Sequence, residues 1–294
     1  PQYSRRAFQL RDRVSERERY FIAFRYYRDA TQDWDKALEL ARAWTKAYPR
    51  EAFAFNALGI ALLRFGDYEG ALAPLRQALG LDPKFAPLYA NLGGVLMSLD
   101  RFGEASAVLQ EGAARQIDYF NMDRIAYLVA FVEGNQEAID RHINAGMRLN
   151  QNGGAFGWRA RSLAFGGRLA AAREQARRGS QAAGQRGFRE VAARLIVDDA
   201  EGRALGGRCE GIRSDVDEAL GWSRDNFAVE ESARALLLCG HDAEAAGLVA
   251  ELAKRYPEAT LIKDIALPVA GALLALHQGR PARALALLEP VRPY

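Results

Sequence analysis

The sequence repeats itself at intervals of 34 residues, and no other feature restricts the fold as much. Pro49 and Pro83 stand 34 apart, as do Leu58 and Leu92, Gly59 and Gly93, Leu62 and Leu96, and Leu75 and Leu109. Three series run through three copies: Phe21, Phe55 and Tyr89; Trp34, Tyr68 and Phe102; Ala37, Ala71 and Ala105. Within a copy the apolar residues recur at three and four, the spacing of one helix face. Alternating apolar–polar runs bounded by turn dipeptides are absent, so the chain reads as all-α. One helix pair cannot bury its apolar stripe alone, so neighbouring pairs must stack.

The best copy is 52–85, with Phe55, Leu58-Gly59, Leu62, Gly66, Tyr68, Ala71, Leu75, Ala78 and Pro83. Gly59 carries no side chain, which lets the first helix approach its partner. Gly66-Asp67 breaks the chain between helices, because glycine accepts left-handed backbone. Ala71 is small where the helices cross. Pro83 cannot extend a helix and ends the unit. The period and residue types resemble the tetratricopeptide repeat, a helix–turn–helix unit. The expectation is a right-handed superhelical array of about eight helix pairs, with first helices lining the concave side.

Copy 18–51 keeps Phe24, Trp34, Ala37 and Pro49 but has Arg25 where a small residue is expected. Copy 86–119 lacks the closing proline. The N-terminal repeats are taken as 1–144, with 120–144 degenerate. Gly134, Gly166, Gly206 or Gly207, Gly240 and Gly279 read as further turns between helices. Residues 145–225 read as degenerate repeats. Fourteen of the 27 glycines fall between 146 and 221. Glycine costs about 1 kcal/mol in a helix relative to alanine, so short or irregular helices are expected there. A hinge at 150–155, Asn-Gln-Asn-Gly-Gly-Ala, is the alternative. Clearer copies return over 226–294, the last one truncated. The chain begins at Pro1 without Met and stops just after a helical pattern, which reads as a piece of a longer protein.

Composition narrows the chemistry. Forty basic residues, 35 of them Arg, face 37 acidic ones, a net charge of only +3, and no nucleic-acid partner is expected. The Arg-rich stretch 5–19 also carries Asp12, Glu16 and Glu18, which favours a helix of mixed, solvated charge. The longest apolar run, 265–276, has twelve residues, while a spanning helix needs about 20. His142, His241, His277, Cys209 and Cys239 have no metal-ligand spacing. One disulfide could join the two cysteines in an oxidising compartment. No nucleophile–base set, phosphate loop or kinase motif occurs. Neither catalysis, a metal nor a cofactor is expected.

What remains is a binding face. First-helix positions beside the core stripe are Tyr26, Phe53, Asn56, Ile60, Asn91, Met97, Asn121 and Arg124. Asparagine amides both donate and accept, which suits an extended peptide backbone. Phe53, Ile60 and Met97 either grip ligand side chains or pack against the next unit. A protein or peptide partner is therefore expected, with self-association as the alternative.

A second resemblance is more specific. The lead-in Leu10-Arg-Asp-Arg-Val-Ser-Glu-Arg-Glu-Arg-Tyr-Phe-Ile22, with Asp33-Trp-Asp-Lys-Ala-Leu38, Tyr48-Pro-Arg50, Asn91-Leu-Gly93 and 127–134, resembles the C-terminal repeat region of bacterial eukaryote-like serine/threonine protein kinases. Similar regions also follow winged-helix regulators. The resemblance implies a regulatory or sensing appendage. It would lie outside the cytoplasm if a membrane span precedes it, and inside otherwise.

Overall fold

The computed structural model describes residues 2–149 and 152–292. Among them, seventeen α-helices and no strands are found. They fall into two compact units: residues 2–134 with Glu258–Leu261, and Asn135–Pro257 with 262–292.

The first unit holds α1 (Gln2–Gln9), α2 (Glu16–Tyr26), α3 (Trp34–Ala47), α4 (Ala52–Arg64), α5 (Tyr68–Leu81), α6 (Ala86–Ser98), α7 (Phe102–Ala114) and α8 (Phe120–Val132). The period sets these boundaries. Trp34, Tyr68 and Phe102 are the first residues of α3, α5 and α7, and α4 and α6 begin 34 residues apart. Asp33 and Asp67 cap two of the second helices, accepting from Lys36 N at 3.0 Å and Gly70 N at 2.9 Å. The residue that turns the chain between paired helices is left-handed at Gln32, Gly66 and Asp100, with φ of 58°, 75° and 58°, and Gly134, which follows α8, has φ of 69°. Ala37, Ala71 and Ala105 have no exposed surface, so each crossing is close. A Cβ added at Gly59 would lie 2.5 Å from Leu75 Cγ, which is why this position is bare. Short Ala-rich faces pack on Trp34 and Trp44 at one end of this core. Leucines and Tyr89 fill the other.

The segment Glu258–Leu261 belongs to this first core. Thr260 is fully buried and caps α3: its Oγ1 accepts from Trp34 N at 3.0 Å and donates to Asp35 Oδ2 at 3.0 Å.

The second unit holds α9 (Gln136–Leu149), α10 (Gly154–Phe165), α11 (Leu169–Gln185), α12 (Arg189–Leu205), α13 (Ile212–Trp222), α14 (Asn226–Leu238), α15 (Asp242–Arg255), α16 (Leu267–His277) and α17 (Pro281–Leu288). The glycine-rich stretch departs from expectation: α11 and α12 have seventeen residues each, the longest helices described. The helical glycines are seats for large neighbours, not breaks. A Cβ at Gly184 would meet Trp222 Cη2 at 2.4 Å, and one at Gly179 would meet Phe156 Cβ at 2.5 Å. Burying those side chains outweighs the helix penalty. Of the hinge expected at 150–155, residues 150 and 151 lie outside the described residues. Gly153 has φ 88° and starts α10.

Cys209 and Cys239 are joined by a disulfide, with Cα atoms 5.6 Å apart. It ties the α12–α13 connection to the end of α14 across a separation of 30 residues. Closing a loop of that size restricts the unfolded chain by about 3.6 kcal/mol. Cys209→Ser with Cys239→Ser should lower the stability of this unit by about that amount. Denaturant melts with and without reductant check it: the reductant should destabilise the wild type and leave the variant unchanged.

Candidate functional site

The four sequence-predicted residues Phe53, Asn56, Ile60 and Asn91 line one cavity of about 330 Å³ in the first unit. Phe53, Asn56 and Ile60 lie on α4 at spacings of three and four, hence on one face. Asn91 projects from α6, one repeat on. Asn91 Nδ2 donates to Asn56 Oδ1 at 2.8 Å. That bond uses one donor of Asn91 and one acceptor lone pair of Asn56. It leaves the Asn56 amide N–H groups and the Asn91 carbonyl oxygen for another partner.

The other four lie elsewhere. Tyr26 stacks on Phe8 of α1 with ring centroids 3.9 Å apart, so α1 covers the surface that the repeat pattern leaves open. Met97 packs against the leucine core. Asn121 Nδ2 donates to Tyr119 Oη at 3.1 Å, and Tyr119, not Asn121, lines the cavity. Arg124 is exposed and does not line the cavity.

Several cavity residues are not among the positions assigned to the binding face. Phe21, Phe24, Arg25 and Arg28 line it from α2 and the π-helical turn Tyr27–Thr31 that follows. Their spacing of three, four and seven was the available signal. Trp44 lines it from α3. Phe21, Phe53 and Phe85 form a chain of rings with centroids 5.8 Å and 4.7 Å apart, edge-on and tilted. These three are spaced by 32 residues, not 34. Phe21 is accordingly not equivalent to Tyr89: it keeps 40% of its surface, while Tyr89 has none. Arg25 Nε lies 2.8 Å from Asp29 Oδ2, and Arg28 Nε lies 2.6 Å from Asp29 Oδ1.

The second unit carries its polar groups differently, in buried ion networks. Asp215 on α13, 2% exposed, accepts from Arg173 Nη2 and Arg177 Nη2 of α11 at 2.7 Å each and from Arg203 of α12. Arg203 Nε also donates to Asp199 Oδ2 at 2.9 Å. On α14, Glu231 has its Oε2 buried without a hydrogen-bond partner among the described residues, while Oε1 lies 3.6 Å from Arg194 Nη2 of α12. Burial, reinforced by the Asp198 charge and opposed by Arg194, pushes the Glu231 carboxyl up to about 8, so Glu231 is mostly protonated at neutral pH. Burial also raises Asp199 and Glu230. Among the described residues there is no cluster of His, Cys, Asp and Glu able to hold a metal ion, and no helix is long and apolar enough to cross a membrane.

This geometry accords with the comparisons to known proteins. Sequence models of the tetratricopeptide repeat match residues 24–86 and 62–129, so the first unit carries tetratricopeptide repeats. Small glutamine-rich tetratricopeptide repeat-containing protein 2 of Mycosarcoma maydis is 31% identical over 83 residues. That match covers 28% of this chain, and only 24% of the relative. Two solved structures share the fold. One is the human IFIT1 dimer with PPP-AAAA, with TM-score 0.55 and 14% identity over 94% of this chain and 71% of that one. The other is the Cut9-Hcn1 hetero-tetramer of the APC/C, with TM-score 0.51 and 12% identity over 97% of this chain and 55% of that one.

Proposed function

We propose that the first unit holds an extended peptide of a partner protein on the face shared by α4 and α6, and that the chain acts as a non-catalytic interaction scaffold. The observation that carries this is the Asn56–Asn91 pair over an aromatic-walled cavity. Together the two amides offer the N–H donors of Asn56 and the carbonyl acceptor of Asn91, the complement of a peptide unit's C=O and N–H. The aromatic walls take an apolar side chain. A peptide is favoured over nucleic acid because the net charge is small and many arginines are already paired with carboxylates.

Phage-displayed random peptides selected on the whole chain supply the probes. Asn56→Ala with Asn91→Ala should weaken their binding about tenfold, the loss of one to two hydrogen bonds. The melting curve should barely move, since both partners of the mutual bond leave together and neither is orphaned. Unchanged affinity for every selected peptide would count against the reading.

The partner-binding unit is further inferred to be a regulatory or sensing appendage of a bacterial serine/threonine kinase. The support is the resemblance carried by the lead-in to α2 and by Asp33-Trp-Asp-Lys-Ala-Leu38. Kinase motifs upstream of Pro1 in the natural protein would bear this out, and an unrelated catalytic domain there would refute it.

One observation favours a second reading, an oligomerisation module that clusters attached domains. Leu276 of α16 is 51% exposed and Leu285 of α17 is 71% exposed. Light scattering over a range of concentrations should then show mass rising toward a dimer, and Leu285→Glu should abolish the rise. A strict monomer ends this alternative.

A further inference from the structure

Trp44 is the unexplained group of the first unit. Its side chain is 2% exposed and lines the cavity, and its buried Nε1 has no hydrogen-bond partner among the described residues. A buried N–H without an acceptor is costly, and native folds rarely keep one unless a ligand or water uses it. The charges around the cavity are also unbalanced. Arg25 and Arg28 share the single carboxylate of Asp29, and no acidic side chain lines the cavity. One positive charge is therefore left over. With the free amide N–H groups of Asn56, the cavity is rich in donors and poor in acceptors.

We propose that this cavity selects an acidic residue flanked by large apolar ones within the bound peptide, with a peptide acceptor atom taking the hydrogen bond of Trp44 Nε1–H and the acidic side chain meeting Arg25 and Arg28. The inference rests on the peptide-binding reading above and adds the chemistry of the ligand. The apolar flanks lie on Phe21, Phe53 and Phe85. Charge complementarity favours the carboxylate over an amide or an ammonium group.

The probe is the capped pentapeptide Ala-Leu-Glu-Leu-Ala, whose blocked ends leave the side chain as its one carboxylate. Counterparts carry Gln or Lys in place of Glu. The 15N-labelled chain reports through the indole N–H signals of its four tryptophans, with Trp44→Phe assigning one of them. The expected result is a downfield shift of the Trp44 signal on adding the Glu peptide, with the others still. The Glu peptide should bind about tenfold tighter than the Gln peptide, and Arg25→Gln with Arg28→Gln, one exposed and one half-buried, should erase that preference.

A fixed Trp44 signal while the backbone amides of Phe53 and Asn91 shift would overturn the Trp44 assignment; the N–H would then rest on the Phe21 ring, whose centroid lies 6.5 Å from that of Trp44. Equal affinity for the Glu and Lys peptides would overturn the acidic preference. If library-selected peptides bind while none of the three probes does, the ligand chemistry is wrong and the peptide site stands. If no peptide binds at all, the site itself is refuted.

Discussion

Asp215→Ala should destabilise the second unit by about 3–5 kcal/mol, the cost of breaking a buried ion pair from one side. Asp215 is 2% exposed and joins three helices at once: two guanidinium groups from α11 and one from α12 converge on it. Removing it leaves Arg203, itself 7% exposed, with Asp199 as its remaining carboxylate. Arg173 and Arg177 are partly exposed and regain water, so the burden falls on Arg203. The double variant Asp215→Ala with Arg203→Met should therefore recover part of the loss, because the buried cation leaves with its partner and Asp199, whose carboxyl burial already pushes up, can take a proton once Arg203 is gone. Equilibrium urea melts of the wild type, both singles and the double check this. A loss below about 1 kcal/mol for Asp215→Ala would mean that the network is solvated.

The second large effect is a dependence on pH. Glu231 is raised from an ordinary value of 4.5 to about 8. Between those values the unfolded chain has released the proton and the native state keeps it. The unfolded state then binds fewer protons, so stability falls as pH rises. The contribution is fully present below pH 4.5 and is lost on passing through 8, with a slope of about 1.4 kcal/mol per pH unit. From pH 5 to 8 the loss is about 3–4 kcal/mol. Burial raises Glu230 and Asp199 as well, which acts in the same direction. Glu251, held below its ordinary value chiefly by its hydrogen bond to Arg224, acts below pH 4.5 and leaves this window alone. Glu231→Gln carries a permanent amide where the wild type carries a protonated acid, and should flatten the profile. Denaturant melts at four pH values test this. A wild-type stability that is flat or rises from pH 5 to 8 would contradict it.

Much of the first unit was legible in the sequence because its repeats are nearly equal. Equal spacing placed Trp34, Tyr68 and Phe102 at equal structural positions, and Gly59 could be read as a crossing point from its missing side chain alone. The binding cavity was only half legible for the same reason. Asn56 and Asn91, 35 apart, are found as first-helix positions beside the core stripe of successive repeats. Arg25, Arg28 and Trp44 do not repeat, and they reach the cavity because the first repeat differs from the rest. The ring series Phe21, Phe53 and Phe85 was present at a spacing of 32, and it was hidden by the search for 34. Tyr26 was misplaced because nothing in the repeat pattern announces that α1 lies over it. In the second unit, glycine content pointed to weak helices, yet Gly179 and Gly184 make room for Phe156 and Trp222. Counting glycines measures the cost to a helix and says nothing of what the neighbouring helix gains. The network around Asp215 links residues 38 and 42 apart, a relation with no periodic trace.

The peptide-binding role of the α4–α6 face is tested most directly by the crystal structure of the whole chain saturated with a library-selected peptide. The account predicts an extended main chain crossing the first unit, with one peptide unit bonded to both Asn56 and Asn91 and an apolar side chain against Phe53. Ligand density on any other surface, with the Asn56–Asn91 pair left untouched, would contradict it.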